Sequence, residues 1–303
     1  MVRYRDDEER PVVHLIDGHV YVFRAFYAMP DLTAPDGTPT GAAYGFTATL
    51  LKYLAEHAVT HLALCFDWAM ESFRNEIFPL YKATRGAPPE DLVSQFELCA
   101  EVARALGLPV FEQERYEADD LIATLAAKLV SRGSNVIVVT SDKDLAQLVR
   151  EAASVVLYDL ARDATLDASG VRAKFGVDPE QIPDYLGLVG DAVDNLPGVP
   201  GVGPRGASAA LRAFGAIEGI PADPRAWAGV PVRGAARLAR AIDAHREQAL
   251  RVRELATVER EVPGVRCGLD ALAYRGAHRD RVSPLFERLG WRGIGERIAR
   301  WQE

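Results

Sequence analysis

The sequence has few cysteines, few methionines and no long apolar run. Its 303 residues include three cysteines, Cys65, Cys99 and Cys267, which are widely separated. An odd number of dispersed cysteines excludes a disulfide framework and has no zinc-binding spacing, so we expect reduced thiols. No stretch is long enough to cross a bilayer, and the N-terminus has no apolar signal region. We therefore expect no membrane association and a cytoplasmic location.

The sequence also lacks the basic excess that is typical of proteins that bind nucleic acids. It has 43 acidic residues against 35 lysines and arginines, which is a formal net charge of −8. Phosphate binding requires Lys and Arg, so this balance argues at first against a nucleic-acid partner. If nine of the carboxylates held metal ions, however, removing their charge from −8 would leave +1. The overall charge therefore does not decide the partner.

What the sequence does contain is a regular alternation of strands and helices. Strands are predicted at 12–16, 61–66, 109–111 and 135–139. Helices are predicted at about 42–57, at about 90–106 and from Glu117 onward. This order predicts an α/β fold with a mainly parallel sheet flanked by helices. Residues 68–89 have no clean periodicity, so we expect a long, partly mobile loop or arch there.

Acidic residues follow the predicted strands. Asp17 and Asp67 each end a strand, and Asp142 and Asp144 follow the strand at 135–139. The carboxyl ends of parallel strands lie along one edge of the sheet, so these carboxylates are expected to converge. A single Asp at a strand end is usually a turn or a helix cap, and Asp142 could be an N-cap. The prediction therefore depends on the occurrence of acids after several strands together and not on any single Asp.

A second acidic group opens a predicted helix. Glu117, Asp119 and Asp120 place three carboxylates within four positions, whereas capping requires only one. Carboxylates this close repel one another unless a cation lies among them. Asp191 and Asp194 are three residues apart and would share one face if that segment were helical.

These nine acids predict a metal site with oxygen ligands only. Because neither His nor Cys accompanies them, Mg²⁺ or Mn²⁺ is expected rather than zinc. One ion rarely needs so many ligands, whereas two ions about 4 Å apart can activate water and stabilise both the attacking and the leaving oxygen of a phosphodiester. The candidate metal ligands are Asp17, Asp67, Glu117, Asp119, Asp120, Asp142, Asp144, Asp191 and Asp194.

A glycine-rich turn downstream has the pattern of a helix-hairpin-helix motif. Gly198, Gly201 and Gly203 precede an apolar helix, and Arg205 supplies positive charge. Backbone N–H groups at such a turn contact a DNA phosphate, although a plain tight turn remains the alternative. The division predicted from these features is an N-terminal extension at 1–11, a sheet core at 12–160 and a helical region at 161–303. In that region we expect a proline-rich linker at 220–231, a helix extending to about Thr257 and a docked C-terminal helix at 283–301.

Seven motifs resemble, in order and spacing, the 5′ nuclease domain of bacterial DNA polymerase I and, more widely, the flap endonuclease superfamily. They are Leu15-Ile-Asp17-Gly18-His, Phe66-Asp67, Ser72-Phe-Arg74, Tyr81-Lys82-Ala-Thr-Arg85, Tyr116-Glu-Ala-Asp-Asp120, Thr140-Ser-Asp-Lys-Asp144 and Gly190-Asp-Ala-Val-Asp-Asn195-Leu-Pro-Gly198. The resemblance runs from about residue 12 to residue 300. It implies a PIN-like nuclease core with a helical arch and a helix-hairpin-helix element.

The resemblance also implies roles for individual residues. In that family the acids that match Asp17, Asp67, Glu117, Asp119 and Asp120 serve a first metal region, and those that match Asp142, Asp144, Asp191 and Asp194 serve a second, some of them through bound water. Lys82 and Arg85 would steer the scissile phosphate from the base of the arch. Arg24, Arg74 and Tyr81 match positions near the 5′ strand. The alternative for Arg74, Lys82 and Arg85 is an ordinary solvated surface, in which Glu71 and Glu76 dilute their charge.

Two departures from the family pattern bear on function. Gly206 stands in the hairpin turn where the family usually has a hydroxyl, which would alter phosphate contact or the K⁺ site implied there. The sequence also contains neither a proofreading nor a polymerase domain, so we expect a stand-alone nuclease. Because the second acidic group is complete, we expect an active one.

The sequence therefore predicts a monomeric, divalent-metal-dependent 5′→3′ exonuclease and flap endonuclease. Its expected partner is DNA with a 5′ end, a flap or a single-strand/double-strand junction, in replication or repair. Two alternatives remain at this point. One is a structure-specific DNA-binding protein with little catalysis, which the altered hairpin turn suggests. The other is a PIN-type ribonuclease, which the hairpin turn and the arch disfavour.

Overall fold

A six-stranded sheet forms the centre of the protein in the computed structural model, which describes residues 10–302. Most of the predicted N-terminal extension lies outside these residues. The strands are β1 (Val12–Asp17), β2 (His61–Cys65), β3 (Val110–Phe111), β4 (Asn135–Val139), β5 (Val155–Asp159) and β6 (Ala164–Leu166). Their spatial order is β3-β2-β1-β4-β5-β6. All neighbouring pairs are parallel except β5 and β6, so the predicted mainly parallel sheet is confirmed.

Twelve α-helices accompany the sheet in the described part of the chain. The first five are α1 (Gly18–Ala28), α2 (Gly41–Glu56), α3 (Phe73–Ile77), α4 (Glu90–Ala105) and α5 (Ala118–Val130). The others are α6 (Ala168–Phe175), α7 (Ile182–Val189), α8 (Pro204–Phe214), α9 (Ala235–Ala244), α10 (Arg246–Ala256), α11 (Leu269–Leu272) and α12 (Arg279–Arg288). No helix within residues 10–302 has both the length and the apolarity needed to span a membrane.

Helices cover both faces of the sheet. On one face, Val13, Leu15 and Val138 pack in a core that includes α5 and the helices of the C-terminal half. On the other, Leu62 and Leu64 pack in a second core with α1, α2, α4 and α12. A strand that is buried on both faces reads as a continuous apolar run, which is why β1 and β4 were visible in the sequence.

The predicted bounds hold closely in the first half of the chain, but the sheet continues past residue 160. β5 was not predicted, and β6 pairs with its free edge through Leu166. The sequence of β6 is short and largely exposed, so it has no apolar pattern to reveal it. The division of the chain into domains at 160 stays a prediction.

The helical half differs from the prediction at two places. The expected continuous helix up to about Thr257 is broken at His245, whose backbone leaves helical geometry between α9 and α10. The expected C-terminal helix ends at Arg288, and the chain then returns so that Trp301 bridges Ala277. After Arg288, Gly290 and Gly293 have φ values of 69° and 77°, the left-handed conformation in which helices commonly end.

Candidate carboxylate site

The carboxyl edge of the sheet brings the strand-end acids together. Asp17 ends β1 and caps α1, where its Oδ1 accepts a hydrogen bond from Val20 N at 3.2 Å. Its Oδ2 accepts from Thr140 Oγ1 at 2.9 Å, and the same Thr140 oxygen accepts from Asp142 N at 3.0 Å. Thr140 therefore connects the end of β4 directly to Asp17.

Asp67 is held beside Asp17 by the start of α5. Its Oδ1 accepts from Ala118 N at 2.7 Å, so it satisfies one of the free N–H groups of that helix. Its own backbone N–H donates to His19 Nδ1 at 3.1 Å. Burial lowers the pKa of His19, which therefore stays neutral and acts as an acceptor at this position.

The cluster is strongly self-repelling. Burial, followed by the charge of Asp67, raises the pKa of Asp17 to about 7. Burial and the charges of Asp142 and Asp191 raise the pKa of Asp144 to about 8. The pKa of Asp119 is also raised, first by burial and then by Asp142 and Asp17. The acids predicted for two separate metal regions thus interact as one electrostatic group.

Asp191 and Asp194 lie in a tight turn after α7, so the prediction that they share a helix face does not apply. Asp191 and Leu196 exchange backbone hydrogen bonds at 2.9 and 2.7 Å, which closes the turn. Asp191 Oδ1 accepts from Val193 N, and its Oδ2 accepts from Lys143 Nζ at 2.8 Å. Although burial opposes it, Lys143 lowers the pKa of Asp191.

Basic side chains from the predicted arch meet the opposite wall of the cluster. Lys82 Nζ donates to Glu117 Oε2 at 2.7 Å, and Ser72 Oγ donates to Glu117 Oε1 at 2.8 Å. Against the effect of burial, Lys82 and Arg74 lower the pKa of Glu117 to about 2. Lys82 itself has a φ of 56°, a left-handed conformation that is costly for a residue with a side chain.

The segment at 68–89 is tied to the turn that carries Asp194. Tyr81 is buried, and its single O–H lies within hydrogen-bond distance of two acceptors, Asp194 Oδ2 at 3.1 Å and Glu117 Oε2 at 3.3 Å. Arg85 pairs with Asp194 Oδ1, and Lys82 N donates to the backbone oxygen of Asp194. Instead of a long unstructured loop, the segment contains the short helix α3 followed by a turn that is anchored at these contacts.

Two of the predicted site residues are directed into the protein instead of the cluster. Arg74 is 2% exposed and donates to both oxygens of Asp120, at 2.8 and 2.7 Å. Asp120 is 0% exposed and also accepts from Glu117 N and Glu259 N. The carboxylate is therefore saturated by donors, and the guanidinium has no face toward solvent. In this arrangement Asp120 is not placed as a metal ligand, and Arg74 is not placed to contact DNA.

The glycine-rich turn joins α7 to α8 as a helical hairpin. Gly201 and Gly203 are exposed, and a side chain at either would meet no atom within 4 Å, so their backbone is open to a ligand. Gly198 instead packs against the Val189 carbonyl, which a Cβ would approach to 2.3 Å. Arg205 is exposed in the first turn of α8, and Arg24 is exposed on α1.

The side chains of the cluster are chemically suited to bind hard cations, which prefer oxygen ligands. Asp144 Oδ1 is buried without a hydrogen-bond partner, and the donors of the cluster are all carboxylate oxygens. Within residues 10–302, however, no three acidic, His or Cys side chains already form a set that could hold one ion. Lys82, Lys143 and Arg85 each neutralise one of the acids, so binding of a divalent ion would require these side chains to rearrange.

Several residues contact the site although the sequence alone assigns them no role in it. Thr140 and Lys143 lie inside a recognised motif, but only the fold shows that they bond to Asp17 and Asp191. Ser72 and His19 likewise bond to Glu117 and to the backbone of Asp67 from distant positions in the chain. Contacts between residues so far apart leave no signal in local periodicity.

The fold and the site together define an α/β protein with an acidic cluster at the carboxyl edge of its sheet and a helical hairpin beside it. Residues 12–176 match the model of the 5′-3′ exonuclease N-terminal resolvase-like domain, and residues 177–280 match that of the 5′-3′ exonuclease C-terminal SAM fold. The chain therefore belongs to the 5′-3′ exonuclease family.

Curated relatives agree with this assignment. The chain is 41% identical to DNA polymerase I of Bacillus caldotenax over 289 residues and 38% identical to that of Mycobacterium leprae over 300. These matches cover 94% and 97% of the chain but 32% of each polymerase. The chain thus spans about a third of the length of these relatives.

Solved structures show the same fold. The T5 5′-exonuclease with bound zinc has a TM-score of 0.66 at 20% identity, covering 92% of this chain and 98% of that one. The catalytic core of Rad2 in complex with DNA substrate has a TM-score of 0.61 at 14% identity, covering 98% and 92%. At these identities the likeness concerns the fold alone.

Proposed function

We propose that this protein is a divalent-metal-dependent 5′→3′ exonuclease and 5′-flap endonuclease that hydrolyses DNA phosphodiesters. The observation that carries the proposal is the convergence of acids from five separate segments at one edge of the sheet. Burial and mutual repulsion raise the pKa values of Asp17, Asp119, Asp142 and Asp144, which supports a site that favours bound cations. Membership of the family and the DNA complex of its structural neighbour Rad2 support DNA as the substrate.

In this proposal two Mg²⁺ or Mn²⁺ ions are held by the acids of the cluster other than Glu117 and Asp120, once Lys143 and Arg85 have moved off Asp191 and Asp194. These acids are Asp17, Asp67, Asp119, Asp142, Asp144, Asp191 and Asp194. When bound, such ions lower the pKa of a coordinated water and stabilise charge on the attacking and leaving oxygens. Glu117 contributes through Lys82, whose ammonium it positions, while Asp120 supports the start of α5 through Arg74.

Lys82 and Arg85 carry the positive charge that meets the scissile phosphate. Both pair with acids of the cluster, so their charges already lie at its edge. A phosphate oxygen could replace those carboxylates as the partner of Lys82 or Arg85 while the ions neutralise the carboxylates. The exposed turn at Gly201 and Gly203, with Arg205, would hold a phosphate of the duplex, and a K⁺ ion could share this turn.

Cleavage of a defined flap substrate tests the proposal. A duplex with a labelled 5′ single-stranded flap is incubated with the protein in Mg²⁺, and the products are sized. We expect cleavage near the junction that stops with EDTA and falls at least about a thousandfold in an Asp142→Asn/Asp144→Asn double variant, since metal-ion stabilisation supplies several kcal/mol. If the parent binds the junction without metal-dependent cleavage, a structure-specific DNA-binding protein is favoured instead.

The same experiment with an RNA flap of matched sequence separates this activity from a ribonuclease. The proposal expects the DNA flap to be cleaved faster than the RNA flap. Sedimentation of the protein with and without the flap duplex would test the expected monomer, which should bind one duplex per chain. A preference for RNA would favour the PIN-type ribonuclease.

A further inference from the structure

Exposed apolar side chains are concentrated around the carboxylate cluster. Seven large hydrophobic residues of the described chain are strongly exposed, and four of them adjoin the cluster. Trp68 and Met70 follow Asp67, Leu80 precedes Tyr81, and Val193 lies between Asp191 and Asp194. Their exposed fractions are 57%, 55%, 58% and 60%, in that order. The largest of these side chains is the indole of Trp68.

Trp68 is held close to the cluster by contacts on either side of it. Asp67 is bonded to the N-terminus of α5, and Ser72 is bonded to Glu117, so the intervening loop is attached at both ends. Adjacent Cα atoms are about 3.8 Å apart, so the indole begins one residue from a proposed metal ligand. Among residues 10–302, no aromatic ring packs against the Trp68 indole and no cationic side chain lies over it.

The surroundings favour a nucleobase over a protein surface as the partner of this indole. Polar residues lie next to the apolar ones along the chain, with the exposed Glu71 after Met70 and the partly buried Lys82 after Tyr81, which is unlike the continuous apolar surface that binds a protein partner. An unpaired nucleotide presents an apolar π-face next to an anionic phosphate. That combination matches an exposed indole that directly follows Asp67, whose carboxylate is close enough to Lys82 to raise the pKa of that ammonium.

We propose that Trp68 is a stacking platform for an unpaired base of the DNA strand whose phosphate reaches the carboxylate cluster, with Met70 beside it. This inference rests on the proposed DNA-cleaving function. A base inside a duplex has both faces covered by its neighbours, whereas a flap base has a free face for the indole. Trp68 would therefore position the single-stranded side of the junction with little preference for base identity.

Tryptophan fluorescence tests the proposal because the four tryptophans differ in environment. Trp227 and Trp291 are buried, and Trp301 is partly covered by Arg279.

The experiment uses the full-length Asp142→Asn/Asp144→Asn double variant without divalent ions, so that the DNA stays intact. Emission is followed while a 5′-flap duplex is added, and then a matched duplex whose flap nucleotides are abasic. We expect the flap with bases to quench emission and the abasic flap to quench it much less.

Two further variants assign the signal. Adding Trp68→Phe should abolish most of the quenching, whereas the control Trp301→Phe should leave it unchanged. Adding Trp68→Ala should weaken binding of the base-containing flap about tenfold, the size expected for one stacked base, and leave the abasic flap unaffected. Because no phosphate contact is lost, the salt dependence of binding should keep its slope.

Three results would overturn the proposal. Quenching that survives in Trp68→Phe would place the responding indole elsewhere. An equal loss of affinity for the abasic flap in Trp68→Ala would show that the residue acts on something other than a base. A base-containing flap that causes no quenching in the double variant would exclude stacking. None of these depends on turnover, so failure of the stacking proposal is distinguishable from absence of Mg²⁺-dependent cleavage by the parent.

Discussion

At the scale of single residues, neighbouring acids of one motif have opposite roles. Asp119 and Asp120 are adjacent, but Asp119 faces the repelling cluster and Asp120 is enclosed by donors from Arg74 and the backbone. Because a helix turns by about 100° per residue, adjacent side chains point in different directions. One Asp therefore belongs to the chemistry of the site and the other to the stability of the frame.

This difference predicts opposite effects of two matched substitutions. Asp120→Asn should lower the free energy of unfolding by about 3–5 kcal/mol, because the buried guanidinium of Arg74 loses the carboxylate that it bonds and keeps only Glu117 Oε2, at 3.9 Å, as a charged neighbour. Asp119→Asn should leave stability unchanged or raise it in metal-free buffer, because it removes a repelling charge, and it should reduce cleavage. Urea denaturation of both variants measures the first effect. A large loss of stability in Asp119→Asn, together with no loss in Asp120→Asn, would contradict the assignment.

At the scale of elements, the position of the Asp191 turn depends on how closely α7 and α10 pack. Gly187 of α7 lies against the backbone of α10, where a Cβ would come within 2.6 Å of the Ala249 oxygen. A glycine at this crossing lets the two helix backbones approach, and the turn with Asp191 begins two residues after α7 ends. The packing of two helices of the C-terminal half thus delivers an acid to the edge of the sheet.

Gly187→Ala should therefore destabilise the protein by about 1–3 kcal/mol and also impair the site. The clash is with backbone, which cannot move aside as a flexible side chain can. Gly268→Ala is the matched control, since a Cβ there would meet nothing within 4 Å and φ is −125°. Thermal unfolding and the flap assay check both variants. A Gly187→Ala protein that matches the control in both would show that the helices can separate without cost.

At the scale of the whole molecule, the acidic cluster makes stability depend on pH and on divalent ions. Asp17 and Asp144 have pKa values raised to about 7 and about 8 in the folded protein, against an ordinary value of 3.8. Between pH 3.8 and these raised values, the two carboxyl groups bind more protons in the folded state than in the unfolded state. Stability contributed by these groups is therefore present at low pH and is lost as pH rises toward 8.

Metal-free protein should accordingly have a lower unfolding midpoint at pH 8 than at pH 6, and millimolar Mg²⁺ should raise the midpoint more at pH 8. Glu117 acts in a different window, because its pKa is lowered to about 2 and its contribution is lost only below about pH 4.5. Urea titrations at pH 6 and pH 8, with and without Mg²⁺, measure these unfolding midpoints. In the Asp17→Asn/Asp144→Asn variant the difference between pH 6 and pH 8 should shrink. A midpoint that rises from pH 6 to pH 8 in the parent without metal would contradict the prediction.

The sequence by itself determined the parallel sheet, the acids at its strand ends and the family. Strands buried on both faces leave continuous apolar runs, and a carboxylate at the end of each run is placed by topology alone. Only the tertiary structure separated Asp119 from Asp120, turned Arg74 inward and joined Thr140 to Asp17, because those contacts connect residues far apart in the chain. It also decided that Trp68 lies open beside the acidic cluster. A single aromatic residue after a strand has no periodicity, and its exposure depends on what the rest of the fold leaves uncovered.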